Sequence, residues 1–410
     1  MEVSNQPLEA HIMTRKNTLT SLDSHRQYAV IGLDLAKYDV SVAAIPVDDL
    51  SPALVDRMVY SDLMELASIV SPTLFVMEPC NGYSLLCLEL QALGHETKVI
   101  SGKAVSMWIN THMSGQKTDI NDALALARLA FDCDLQPIRE KTLEESRMMT
   151  LQATRRQLLT QRTKTLVCFK GLCQQWGIRL KAGSRSLKNM QLAVEGKTAL
   201  LSESVVHALI QLLDRVRDLD HQIAELDKAL EAILMQDERG QLLDKVFGIG
   251  PQIATRFITV VGDIRRFPSP RSLVAYIGCA PRNIITGHRN LPKIKKNGAP
   301  DLSHKGQGKV SRHGDKYLRS LLIQGAATIY MQYCKGQLKN CALKDWIKKQ
   351  IDSRKPYGKI LVSLAAKLIR IMWAVLTYKE KFDIDKAGVS RSVLASMEKK
   401  RLTGEAVESA

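Results

Sequence analysis

The chain has no CxxC pair, and its eight cysteines are scattered through 410 residues without ligand-like spacing. That usage excludes a disulfide framework and a zinc ribbon, and it fits a reducing cytoplasm. The first residues are polar and lack the apolar core of a signal peptide. Residues 1–27 read as a disordered tail and 386–410 as a second tail. The most apolar late stretch, Ile360 to Leu376, carries Lys367 and Arg370, which argues against a membrane span. Acids are also scarce, 42 against 58 basic residues, for a net charge of +16 and a pI near 9.4. Such a surplus points to a polyanionic partner, because neutralising phosphates releases counterions. At 45.7 kDa and 45% hydrophobic residues, the chain is long enough for two or three domains with cores of their own.

The few acids that matter are placed with a pattern. The run Tyr28 to Leu33 is apolar and β-branched, so Asp34 falls at the end of a buried strand. A second strand is expected from Asp39 to Ile45, a third from Val55 to Tyr60, a helix from Ser61 to Ile69, and a buried strand from Thr73 to Met77 that ends at Glu78. Strand ends are where open α/β sheets place ligands. Asp119 and Asp122 open an apolar-periodic stretch, and a spacing of three sets both on one helix face. All four candidates offer only carboxylate oxygens, so the expected cofactor is Mg²⁺ or Mn²⁺ rather than zinc. Two such ions about 4 Å apart serve phosphodiester chemistry. Singly, each acid also suits a turn, a helix cap or a macrodipole partner.

Beyond these acids the chain turns basic and helical. From Thr142 to Ile178 a helix is expected, with Arg155, Arg156 and Arg162 as candidate nucleic-acid contacts among leucines. Leu209, Leu212, Val216, Leu219, Ile223, Leu226, Leu230 and Ile233 then form a heptad seam. The seam is expected to be a coiled coil, either a hairpin with the preceding helix or a dimer contact. In Val246-Phe247-Gly248-Ile249-Gly250-Pro251, the glycines Gly248 and Gly250 resemble those of a helix-hairpin-helix, which offers backbone amides to a phosphate. From Pro281 to Arg319, ten basic residues, including Arg282, Arg289, Arg312 and Lys316, face two acids, again a candidate polyanion surface.

The strings GLDLAK, MEPCNGY and KTDINDA, followed by VFGIGPQIA, GDIRRFPSPRSLVAYIGCAPR and SRHGDKYLRSLLIQGA, resemble the DEDD transposases of bacterial insertion sequences. That group includes the pilin-gene invertase and the bridge-RNA-guided recombinases, and the resemblance runs from about Tyr28 to Phe382. It implies an α/β ribonuclease-H-like (RuvC-like) domain over 28–140, a helical coiled-coil region over 141–238, and a mainly α C-terminal transposase domain with a helix-hairpin-helix over 239–385. It also implies that Asp34, Glu78, Asp119 and Asp122 are the metal-binding tetrad. The family's nucleophilic serine falls on Thr286 here, a departure that leaves three readings open: a working nucleophile, a slowed one, or the mark of an inactive copy. The implied partners are DNA, comprising the element ends and their target, and a structured guide RNA. The implied assembly is a homo-oligomer, dimer or tetramer, and no membrane is involved. Two other readings of the residues stand beside recombination: a Holliday-junction-resolvase-like endonuclease using water, and a non-catalytic nucleic-acid-binding relative.

Overall fold

Alternation along the first strand decides which acids can meet. In β1 (Tyr28–Leu35), Val30, Gly32 and Asp34 point to one side while Ile31 and Leu33 point to the other. The computed structural model describes residues 27–383 apart from 49–51, 53, 114, 116–117, 181–185, 284–306 and 339–340. Thr286, Arg289 and, residue 27 aside, both expected tails lie outside the described residues. Two compact units are distinguished, residues 1–146 and 147–410, and together they hold a mixed five-stranded sheet and thirteen α-helices among the described residues.

In the first unit β1 pairs antiparallel with β2 (Asp39–Pro46), and β2 pairs antiparallel with β3 (Leu54–Val59). β1 runs parallel to β4 (Leu74–Met77), and β4 runs parallel to β5 (Glu96–Val99), giving the order β3-β2-β1-β4-β5. One face buries Ile31, Leu33, Val42, Phe75 and Met77 against α1 (Tyr60–Ile69) and α2 (Tyr83–Ala92). The other buries Val30, Ala43 and Val76 against α3 (Gly102–His112) and α4 (Asp119–Leu129). Only a glycine permits the second contact at its tightest point. A methyl group on Gly32 would come within 2.6 Å of the Ala127 amide nitrogen and closer still to the Ala123 carbonyl oxygen.

The second unit is helical. The long helices α5 (Leu143–Gln175) and α7 (Glu203–Gln236) run antiparallel, with α6 (Leu187–Glu195) between them in sequence. Arg155 forks onto Asp227 at 2.5 and 3.0 Å, and Arg162 forks onto Asp220. Seven residues forward on one helix match seven back on the other. One heptad further on, Phe169 and Leu213 are both fully buried in one apolar cluster. The C-terminal part packs α9 (Pro251–Val261), α10 (Pro270–Ile277), α11 (Lys316–Cys334), α12 (Ala342–Asp352) and α13 (Tyr357–Tyr378) around one core; α8 (Glu238–Asp244) precedes them. By length and composition α13 could cross a membrane. Its apolar positions Leu364, Ala365, Ile369 and Met372 instead lie fully buried in this core. Between α10 and α11, strands β6 (Pro281–Asn283) and β7 (Gln307–Val310) pair antiparallel.

Substituting Gly32→Ala is expected to lower the stability of the first unit by about 1–3 kcal/mol through overpacking, read as a drop in the denaturant midpoint. A stability equal to the parent would show that α4 does not press on β1. In the second unit, burial alone would raise the Asp315 carboxyl, but hydrogen bonds from Arg256 and the Leu318 amide hold it below the usual carboxylate range. A lowered folded pKa gives stability that is present above about pH 4 and lost as pH falls through the folded value. The stability gap between the parent and Asp315→Asn should therefore shrink as pH drops below about 4 in urea unfolding curves.

Candidate active site

β1 and β4 are in register at Leu33 and Met77, so the next residue on each chain, Asp34 and Glu78, emerges side by side at neighbouring strand ends, about 5 Å apart in backbone spacing. Both belong to the face that α3 and α4 cover. Glu78 lies over the start of α3, with its Oε2 at 2.7 Å from the position of a methyl group on Gly102. A side chain at that position would displace the end of the Glu78 carboxylate from its present place. α4 starts with a Thr118 cap, whose hydroxyl accepts from the Asn121 amide at 3.2 Å. The close approach at Gly32 then fixes where the first turn of α4 falls on the sheet, and that turn carries Asp119 and Asp122. Asp34 and Glu78 are half-buried, Asp122 is buried, and Asp119 is exposed.

Two neighbours register the shared field. Arg57 on β3 sits opposite Ser41, which sits opposite Asp34, so the three form one row across the sheet. Its guanidinium pairs with Asp39 at 2.8 Å and lies 3.6 Å from Asp119. The Asp39 hydrogen bond raises its pKa most, and the charges of Asp119 and Asp34 raise it further. Cys80 lies within reach of both strand-end acids. Burial pushes its thiol up, and the negative charges of Asp34 and Glu78 add to the effect. Arg57, Ser41 and Cys80 escaped the sequence reading. Arg57 could have been found only from the register of β2 on β3, which local sequence does not carry.

All four expected ligands are carboxylates, a donor set for a hard divalent cation. Among the described residues no three His, Cys, Asp or Glu side chains close on a common point. Among the described residues Arg57 is a cation beside two of the acids, 3.6 Å from Asp119 and within the field of Asp34. The donor chemistry and the strand-end placement suit a hard divalent cation, for which Asp34, Glu78, Asp119 and Asp122 are the candidate ligands.

The other candidates divide into groups. Arg155 and Arg162 are engaged by Asp227 and Asp220, whereas Arg156 makes no ion pair among the described residues and lies over the Tyr317 ring at 5.0 Å. Gly248 has φ +81°, and its turn packs so tightly on α11 that a methyl there would meet Ile329 Cδ1 at 2.5 Å. Gly250 has open space around it and precedes the first turn of α9. Arg282, Arg312 and Lys316 are exposed near the β6–β7 ribbon, where Arg282 donates to the Ser311 carbonyl at 3.0 Å. Arg312 takes a left-handed backbone, φ 57°, in a turn that closes on Gly278.

Comparison with known proteins reaches both halves. A family model described as a transposase, of the DEDD type, matches residues 31–176, and the model of the transposase IS116/IS110/IS902 family matches residues 240–305. The chain is similar to a probable family 20 transposase of Pseudomonas aeruginosa, 29% identical over 353 residues, 85% of this chain and 96% of that protein. It is also similar to the transposase for insertion sequence element IS1111A of Coxiella burnetii, 25% identical over 92% of this chain and 98% of that protein. A pilin gene-inverting protein of Moraxella lacunata is 28% identical over 170 residues, 42% of this chain and 46% of its own length.

If Arg57 competes with a cation for Asp119, Arg57→Met should tighten Mn²⁺ binding roughly two- to five-fold, the range of an exposed ion pair, as measured by calorimetric titration. Weaker binding would show that Arg57 instead holds the acids in place. The four acids fall within the first matched segment and Thr286 within the second, and the chain belongs to the DEDD transposases of bacterial insertion sequences.

Proposed function

We propose that this chain cuts and rejoins DNA at the ends of an insertion sequence, using the acid tetrad with Mg²⁺ and the hydroxyl of Thr286. The placement of Asp34 and Glu78 on adjoining strand ends, under the helix turn that bears Asp119 and Asp122, is the observation that carries this reading. The order of that sheet, with two antiparallel strands followed by parallel ones, supports a ribonuclease-H-like reading of the first unit. Bound divalent ions would supply positive charge at the scissile phosphate. The carboxylates would fix their positions, and Ser41 and Arg57 would set the polarity of the surrounding row.

In this reading the Thr286 oxygen attacks phosphorus and loses its proton to water. A phosphorus–oxygen bond to the protein forms, the bond to the deoxyribose oxygen breaks, and that oxygen leaves with a proton from solvent. The covalent phosphoester conserves the bond energy for the reverse attack that rejoins the strands. The antiparallel long helices, with ion pairs one heptad apart, support a coiled-coil reading of the middle region. A dimer or tetramer is the proposed assembly. Exposed Gly250 at the start of α9, with Arg282, Arg312 and Lys316, supports a helix-hairpin-helix and a basic surface for nucleic acid. A structured RNA that guides target choice belongs to the same proposal, carried by the net charge and the family.

The test uses the purified full chain with DNA bearing the element's ends and RNA transcribed from its non-coding end. Asp119→Asn and Glu78→Gln are expected to cut at least about 100-fold more slowly, since even partners that only orient a metal ligand cost 10–100-fold, with an unchanged unfolding temperature. Thr286→Ser should keep a protein–DNA adduct on a denaturing gel, and Thr286→Ala should lose it. Strand cutting by Thr286→Ala without an adduct would make water the nucleophile, and cutting unaffected by Asp119→Asn would remove the tetrad from the chemistry.

A further inference from the structure

The second unit contains a cleft of about 480 Å³, framed by α5, α9 and the start of α11. Its volume falls in the range of pockets that enclose a small ligand, about 300–1,000 Å³. Its lining carries two guanidinium groups, Arg156 and Arg256, both over the ring of Tyr317 at 5.0 and 5.5 Å. No carboxylate lines it.

The two arginines are held differently. Arg256 is anchored from beneath by Asp315, at 2.5 and 3.3 Å, and by Gln152 at 3.4 Å. Gln152 is itself buried and donates to the buried Thr255 at 2.8 Å. Three hydrogen bonds leave donors to spare on a group that has five. Arg156 is exposed and makes no ion pair among the described residues. Neighbouring Arg155, by contrast, is consumed by Asp227. The molecule thus spends buried polar groups to fix one guanidinium and leaves a second open beside the same aromatic ring.

Building on the reading of this chain as a nucleic-acid enzyme, we propose that this cleft receives one unpaired nucleotide of a DNA or RNA strand. Its phosphate would lie on Arg156 and Arg256, and its base against Tyr317 and the apolar floor at Met149. A phosphate in a duplex needs only a basic surface, and bases stacked within a duplex cannot enter a recess. A concave site that combines a ring face, guanidinium planes and amide or hydroxyl groups such as Gln157 and Thr160 suits a base that has left the stack.

Fluorescence anisotropy on the purified full chain tests this with three probes: single-stranded RNA, single-stranded DNA and a blunt DNA duplex of the same sequence. Arg156→Ala and Tyr317→Leu should weaken single-strand binding about ten-fold, the scale of one stacked base. Arg156→Ala should also lower the salt slope by about one, with duplex affinity changed much less. Lys164→Ala, on the same helix but outside the cleft, should leave single-strand binding near that of the parent. Loss on RNA alone or on DNA alone identifies the strand that is bound. Unchanged single-strand binding by Arg156→Ala, an equal loss on the duplex, or an equal loss in Lys164→Ala overturns the proposal. The strand-cutting reading would survive any of these, because it is judged at Asp119, Glu78 and Thr286. Arg156 is exposed, so its variant should match the parent's unfolding temperature, and the experiment stands on it if Tyr317→Leu fails to fold.

Discussion

The packing of α4 onto β1 at Gly32 is the constraint on which the candidate site depends. Three acids come from strand ends and a helix start that sequence separates by more than forty residues, and a fourth lies one turn further along that helix. What brings the helix turn to the strand ends is an approach so close that no side chain fits between backbone and backbone. Cores are packed too tightly to absorb a shift of that size without cost. The same economy recurs at Gly102, where the lack of a side chain leaves room for the Glu78 carboxylate. Of the two, Gly32 is the stricter, because it meets backbone atoms, whereas Gly102 meets the movable end of a side chain.

Electrostatics then explains why the arrangement tolerates itself. Several carboxylates in one neighbourhood repel each other, and the sheet register puts Arg57 in the same row as Asp34, paired with Asp39 and close to Asp119. A fixed guanidinium offsets part of that repulsion before any metal binds. In the second unit charge is handled in another way. Arg155 and Arg162 lie between two helices, where aspartates on the partner helix neutralise them, and these pairs link α5 and α7 one heptad apart. The basic surplus of this region is thus partly internal, and Arg156 is one cation there left facing outward.

Much of the sheet was legible in the sequence because its strands announce themselves locally. The β-branched run before Asp34 and the short apolar run before Glu78 end within two residues of where the strands end. The cap at Thr118 and the apolar period after Asp119 mark α4 in the same way. Five of the eight expected seam positions on α7 are buried: Leu209, Val216, Leu219, Ile223 and Leu230. The sequence left the partner of that seam open between the preceding helix and a second copy. A heptad pattern says that a face is covered but not by what, and the Arg–Asp pairs with the shared Phe169–Leu213 cluster bring in α5. Arg57 and the Arg156–Tyr317–Arg256 cleft were also invisible, since strand register and helix crossing are long-range facts. For Gly248, sequence suggested a phosphate contact, and the structure adds a packing role against α11. Thr286 and Arg289 lie outside the described residues, so Thr286 rests on the family resemblance and Arg289 on the basic surplus of its segment.

The claim that everything else serves is that Asp34, Glu78, Asp119 and Asp122 act on the same cation. Electron paramagnetic resonance of Mn²⁺ added to the full chain tests it most directly, with each acid replaced in turn by its amide. The parent should bind Mn²⁺, and the bound signal should be lost in all four variants, from both the strand-end pair and the helix pair. Four variants that bind Mn²⁺ as the parent does, or a loss confined to one acid, would contradict it.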